Sequence, residues 1–236
     1  MPTRTENSAA FTGSGDRRYT ACMSGSLQQL QSEWRKDAAR FSASEASQIF
    51  NDLIARHSEL QRHYHGLNHL TALLDLLARH APEVKPGSPN RLAIWWHDAI
   101  YDPTAKDNED LSAILARNHL ARLGAPPDLI DSVAAIVLAT KNHWAGPSLG
   151  EHDLFLDADI AILGAPPAIY DGYTAAVRKE YEWASDDAFR AGRSAFLTKA
   201  LTWSRLFRTD TFEAAYADQA RANMRRELTS LTGNPP

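Results

Sequence analysis

The sequence predicts an all-α fold in a single domain, and three observations carry that expectation. Apolar residues recur at three- and four-residue spacing along almost the whole chain. Period-two alternation of β-branched residues is nearly absent. No internal repeat or low-complexity linker divides the 236 residues, a length that one hydrophobic core can serve.

Taken in order, residues 1–24 are polar, rich in Thr, Ser, Gly and Arg, and lack helical periodicity. They hold nothing like the apolar stretch of roughly 7–15 residues that a secretory signal needs. A disordered leader is expected there, with Met23 as an alternative start to Met1. The helical domain is expected over 25–231. Leu27, Leu30 and Trp34 open it; a Ser-Ala-Ser break leads to Ile49, Phe50, Leu53, Ile54 and Leu60. Leu67, Leu70, Leu73, Leu74, Leu76 and Leu77 stripe a third helix that ends near Pro82, before the break Pro86-Gly87-Ser88-Pro89. The run from Leu92 to Tyr101 is apolar nearly all round, the mark of a helix at the centre of a bundle. Further helices are expected over 108–123, 127–140, 157–163, 167–183, 187–207 and 212–231. Residues 232–236 read as a flexible tail.

Composition narrows the function classes. A formal net charge of -4 supplies no basic field for nucleic acid or an anionic membrane. A small phosphorylated substrate stays compatible, because a bound metal and a few local cations can provide positive charge. The one cysteine, Cys22, excludes an internal disulfide framework and points to a reducing, cytoplasmic setting. No apolar run approaches the ~20 residues that span a bilayer.

Three segments carry chemistry. His97 and Asp98 interrupt the most apolar helix, where an ionised carboxylate needs a partner, hydrogen bonds or a metal. Arg62-His63-Tyr64-His65-Gly66-Leu67-Asn68-His69 opens the Leu-striped helix, and His65 and His69 share a face if the helix already includes His65. Asp157 and Asp159 lie in the apolar run 154–163 and diverge by roughly 200° on a helix, so only one can face a given site. Asp157 suits an N-cap and Asp159 a ligand, with the reverse assignment open. Each segment alone has a bland account, in caps, surface groups and helix-end charges. Together they offer imidazoles and carboxylates from three helices, a shell that suits Mn, Fe, Ni, Co or Zn better than a soft metal.

In its motifs the chain resembles the HD superfamily of metal-dependent phosphohydrolases, most closely a bacterial branch of undefined substrate. The motifs are Arg62-x-Tyr64-His65-x-x-x-His69, Trp96-His97-Asp98-x-x-Tyr101, Asn108-Glu109-x-x-Ser112-Ala113 and Ala139-Thr140-Lys141-x-His143. They continue as Asp157-Ala158-Asp159-x-Ala161-x-Leu163, Arg178-x-Glu180-Tyr181 and Glu213, Asn223 and Glu227. The resemblance implies a single HD-domain, phosphodiesterase-like helical bundle holding a divalent metal (Mn, Mg, Fe, Ni, Co or Zn). It makes His69, His97, Asp98 and Asp159 the metal ligands. His65 becomes the acid that protonates the leaving oxygen, sharing the catalytic work with Asp98, as a metal-activated water hydrolyses a phosphoester of a nucleotide or small metabolite. The sequence departs from the cyclic-nucleotide enzymes, which follow His-Asp with His-Pro-Gly where Ala99-Ile100-Tyr101 stands here, and from the cyclic-di-GMP class, whose Gly-Tyr-Pro is absent.

Around this core, Lys141 and His143 are expected either to interact with a helix C-terminus or to stand at the rim of the site, binding substrate phosphate or supporting a ligand from behind. Arg62 is expected to neutralise that phosphate or pair with an inner acid. Glu109 is expected either to start a helix or to orient a ligand histidine from behind, and Asp157 is also expected behind the ligands. Arg178 and Glu180, two apart, are expected to serve different partners. Two other functions share these residues: a catalytically silent nucleotide-sensing domain, and a di-iron oxidoreductase that would recruit His143 and Asp157. A homo-oligomer is compatible with the sequence.

Overall fold

The computed structural model describes residues 16–233, with side chains from 27 onward. Among the described residues it is entirely helical, with ten α-helices and three short 3-10 turns. In chain order the helices are α1 (Asp16–Asp37), α2 (Ala43–His57), α3 (Leu67–His80), α4 (Pro89–Trp96) and α5 (Asn108–Arg122). Then come α6 (Pro127–Ala139), α7 (Asp153–Ile160), α8 (Pro167–Glu180), α9 (Asp186–Leu201) and α10 (Asp210–Thr232). No helix is long and apolar enough to cross a membrane.

The expected leader overlaps α1, which starts at Asp16. That stretch has no proline and a single glycine at Gly25, so little opposes helix there. Residues 1–15 and 234–236, which include Met1 and the Pro-Pro end, lie outside the described residues, as do the side chains of Cys22 and Met23.

Helix α4 is the hub, packed against α3, α5, α6 and α7. Leu92, Ala93, Ile94, Trp95 and Trp96 have no exposed surface, as an all-round apolar helix requires. Proline at the first turn starts α4, α6 and α8, where its missing N–H leaves nothing unpaired. α10 packs on α9 and on the turn Ala161–Gly164. At that turn Gly164 lies against α10 so closely that a Cβ would sit 2.6 Å from the carbonyl oxygen of Tyr216. Asn223 of α10 donates to the carbonyls of Leu163 and Ala165, locking the contact.

Several boundaries differ from the sequence expectation, each with a local cause. α4 stops at Trp96 instead of running to Tyr101. Arg62 donates to the carbonyls of Asp98 and Ala99, and Ser112 Oγ accepts from Ile100 N–H, so the groups a longer helix would pair internally are taken. α3 starts after Gly66, leaving His65 outside it, so shared helical spacing does not align His65 with His69. α7 starts at Asp153, which puts Asp157 in its middle and not at its N-cap. α9 ends at Leu201, and just beyond it Arg221 of α10 donates to the carbonyls of Trp203 and Ser204, which a longer helix would pair internally. α2 ends at His57, leaving Leu60 exposed.

Candidate metal centre

Three elements deliver the cluster. α3 presents His69 from its first turn, the end of α4 presents His97 and Asp98, and the last turn of α7 presents Asp159. His69 Nε2 lies 3.0 Å from His97 Nε2, 3.0 Å from Asp159 Oδ1 and 3.8 Å from Asp98 Oδ2. His97 Nε2 lies 3.0 Å from Asp98 Oδ2 and 3.5 Å from Asp159 Oδ1. His97 Nδ1 donates to the carbonyl of Ile94 at 3.1 Å, which fixes the ring and aims Nε2 at the cluster.

These distances test the donor set against an ion. Ligands about 2.1 Å from a metal stand about 3.0 Å apart on an octahedron and about 3.4 Å on a tetrahedron. His69, His97 and Asp159 offer donor atoms that all lie within 4.8 Å of one another. Two imidazole nitrogens and carboxylate oxygens crowd one point, and each can offer a lone pair there once the histidines are neutral, so the residues present suit a divalent cation. The electrostatics agree. Burial disfavours charge on Asp98 and Asp159, yet His97 and the neighbouring histidines hold both carboxyls well below their ordinary range. Burial likewise opposes the His97 cation, but Asp98 and Asp159 outweigh it and raise His97 to about 9. The cluster is a seat for positive charge.

Behind it sits a group that residue spacing alone did not assign. Glu180, at the end of α8, has a fully buried side chain. Its Oε1 accepts the backbone N–H of His63, Tyr64 and His65 at 2.7–2.9 Å. Its Oε2 accepts His65 Nδ1–H at 2.7 Å and the Tyr101 hydroxyl at 2.9 Å. Burial pushes the Glu180 carboxyl up, but the bonds from His65 and the backbone bring it down to about 2. Burial pulls His65 down, and the bond to Glu180 and the nearby carboxylates raise it above its ordinary value. The His65 ring stacks on Tyr101 at 4.4 Å, and its side chain is 23% exposed, so Nε2 remains approachable. A signal was there to read: Tyr170, Tyr173, Val177 and Glu180 continue one stripe of α8, and an acid on an apolar stripe needs partners.

The remaining expected residues are placed as follows. Arg62 does not face a substrate: its side chain is fully buried, and it donates to Glu59 and to the carbonyls of His65, Asp98 and Ala99. It ties the two loops that carry His65 and Asp98. Lys141 is exposed and pairs with Asp110 at 2.7 Å, with no contact to the cluster. His143 is brought in, its Nε2 donating to Asp159 Oδ2 at 2.8 Å, so it orients a ligand carboxylate. Among the described residues the Glu109 side chain has no hydrogen bond or ion pair; Glu180 orients a site histidine in its place. Asp157 faces away from the histidines. It is buried and accepts Arg208 N–H, Thr209 N–H and Thr209 Oγ–H, each at 2.7 Å, anchoring the start of α10. Arg178 pairs with Asp186 and Glu180 with His65, so the two do serve different partners.

No family model, curated protein or solved structure matches the chain.

Proposed function

We propose that the protein is an HD-type, metal-dependent phosphohydrolase that cleaves a phosphoester of a nucleotide or another small phosphorylated metabolite. The observation that carries the reading is the convergence of His69, His97, Asp98 and Asp159 donor atoms at distances suited to ligands on one ion. These four residues would hold the metal; when bound, a divalent ion supplies Lewis acidity and an activated water.

The chain's own residues do the rest. His143 holds Asp159 in place through Oδ2, leaving Oδ1 toward the histidines. Glu180 takes the Nδ1–H of His65, so the other ring nitrogen faces the open side with its proton available to a leaving oxygen. Water oxygen joins phosphorus as its proton passes to solvent, the ester P–O bond breaks, and His65 Nε2 gives the departing alkoxide its proton, which solvent then restores to the ring. Glu180 and Tyr101 keep the ring from turning during transfer.

The test is metal content and turnover together. Chelated protein reloaded separately with Mn, Mg, Fe, Ni, Co or Zn is assayed on phosphomonoesters and phosphodiesters. Turnover with at least one ion is expected, and His97→Ala should lose metal and turnover together. No turnover with any ion, together with wild-type metal binding by His97→Ala, overturns the reading.

A further inference from the structure

Two of the clefts open at the surface are large enough to hold a small molecule. The larger, about 350 Å³ among α8, α9 and α10, touches none of the cluster residues. The second, about 280 Å³, lies between the turn after α6 and the turn before α10, and it shares His143 with the cluster. One side of His143 therefore holds Asp159, while the residue also lines the cleft. Resting on the phosphohydrolase reading, we propose that this cleft is the subsite for an aromatic ring carried by the anionic substrate.

Its lining has the required chemistry. Trp203 is half-buried, its indole meets no other aromatic ring, and its N–H has no partner among the described residues. Its ring is thus a free face for stacking. Trp144 lines the opposite turn and is held by donation to the Leu206 carbonyl at 3.0 Å. Arg208 uses Nε and one amino group on His143, Pro147 and Asp153, leaving its second amino group uncommitted. Arg205 is half exposed at the mouth, shared with Asp210. The one carboxylate in the lining, Asp153, already accepts from Ser148, Leu149 N–H and Arg208. The cleft is therefore cationic as well as aromatic, which suits a planar anionic molecule over an alkyl one. Its volume falls just below the usual range of about 300–1,000 Å³ for ligand pockets, so it takes a ring with a short substituent and no polymer.

Calorimetric titration of the metal-loaded full-length protein with phenyl phosphate and cyclohexyl phosphate tests this. The two have similar bulk, and one lacks a π face. Phenyl phosphate is expected to bind about tenfold more tightly. Trp203→Leu should erase that preference while metal content stays at the wild-type level. Equal affinity of the wild type for the two esters overturns the subsite, and because it needs only wild-type protein it decides even if Trp203→Leu does not fold. Hydrolysis of both esters at equal affinity leaves the phosphohydrolase reading standing and removes the subsite. A clear preference for the ring with no hydrolysis by any loaded ion does the reverse.

Discussion

At the N-terminal end of α4, Arg91 lies between two carboxylates, with Nε 3.1 Å from Asp37 and one amino group 2.6 Å from Glu33. Asp37 also accepts Trp95 Nε1–H and the Gly87 backbone N–H. At the C-terminal end of the same helix, His97 and Asp98 meet His69 and Asp159, two imidazoles and two carboxylates whose only donors toward one another are the protons the histidines can carry. Both groups are buried and both contain two acids. The first closes on itself, because a guanidinium, an indole N–H and an amide supply the donors that its carboxylates need. The second has no permanent cation, only histidines that must carry a proton to balance its acids. A buried polar cluster whose donors and acceptors balance holds a fold together, and one with surplus acceptors asks for an ion.

Removing one member should separate the two ends. Arg91→Met strands the buried Asp37, while Glu33 keeps Lys36, and is expected to cost about 3 kcal/mol of unfolding free energy, with metal stoichiometry unchanged. His97→Ala should also cost stability without metal, because Asp98 and Asp159 lose the imidazole that keeps them ionised, but it alone should remove the stabilisation that added metal gives. That stabilisation is about 3 kcal/mol at a hundredfold excess over the dissociation constant. Denaturant melts with and without chelator, beside elemental analysis, read both. Loss of metal in Arg91→Met, or retained metal stabilisation in His97→Ala, would break the distinction.

Much of this was legible before any coordinates. The all-helical fold followed from apolar spacing, and the burial of α4 from a run with no polar face. His97, Asp98 and Asp159 stood out as charge within apolar sequence, and the structure places them together. What was not legible depended on partners far away in the chain. Asp157 looked like the cap of its own helix, whereas it accepts from Arg208 and from Thr209, the residue that caps α10, across about fifty residues of chain, a contact that no local pattern encodes. Arg62 looked like a phosphate ligand because an arginine beside histidines invites that reading. Its donors are taken by carbonyls that face it only once α4 has stopped at Trp96. Glu180 was the acid on an apolar stripe of α8, legible in kind but not in partner.

Glu180 sharpens the comparison, because its carboxylate is balanced yet adjoins the unbalanced cluster. Glu180→Gln keeps the shape and one acceptor oxygen but replaces the other by an amide that cannot accept His65 Nδ1–H. A fall in kcat of about tenfold to a hundredfold is expected, with unchanged metal content and a proton-donating limb displaced toward lower pH. A purely structural role would lower stability while leaving the pH profile of the folded fraction in place.

The smallest effect concerns a histidine behind α4 that has neither arrangement. His57 is 2% exposed; Nε2 contacts the Trp95 carbonyl at 3.4 Å, and Nδ1 has no partner among the described residues. Burial, helped by Arg62, holds it down from 6.5 to about 3. The unfolded chain therefore binds a proton at mildly acid pH that the folded chain refuses. The resulting contribution to stability is complete above 6.5 and is lost as pH falls toward 3. By about pH 5.5 this group alone should have removed about 1.4 kcal/mol. His57→Leu keeps the volume roughly and removes the titration, so its stability should fall less steeply with pH than the wild type between about pH 7 and pH 5. Parallel curves for the two proteins, in urea melts at matched ionic strength and with the metal chelated, would mean that His57 takes its proton without unfolding. The buried pocket behind α4 would then accept charge after all, through an acceptor such as an ordered water at Nδ1.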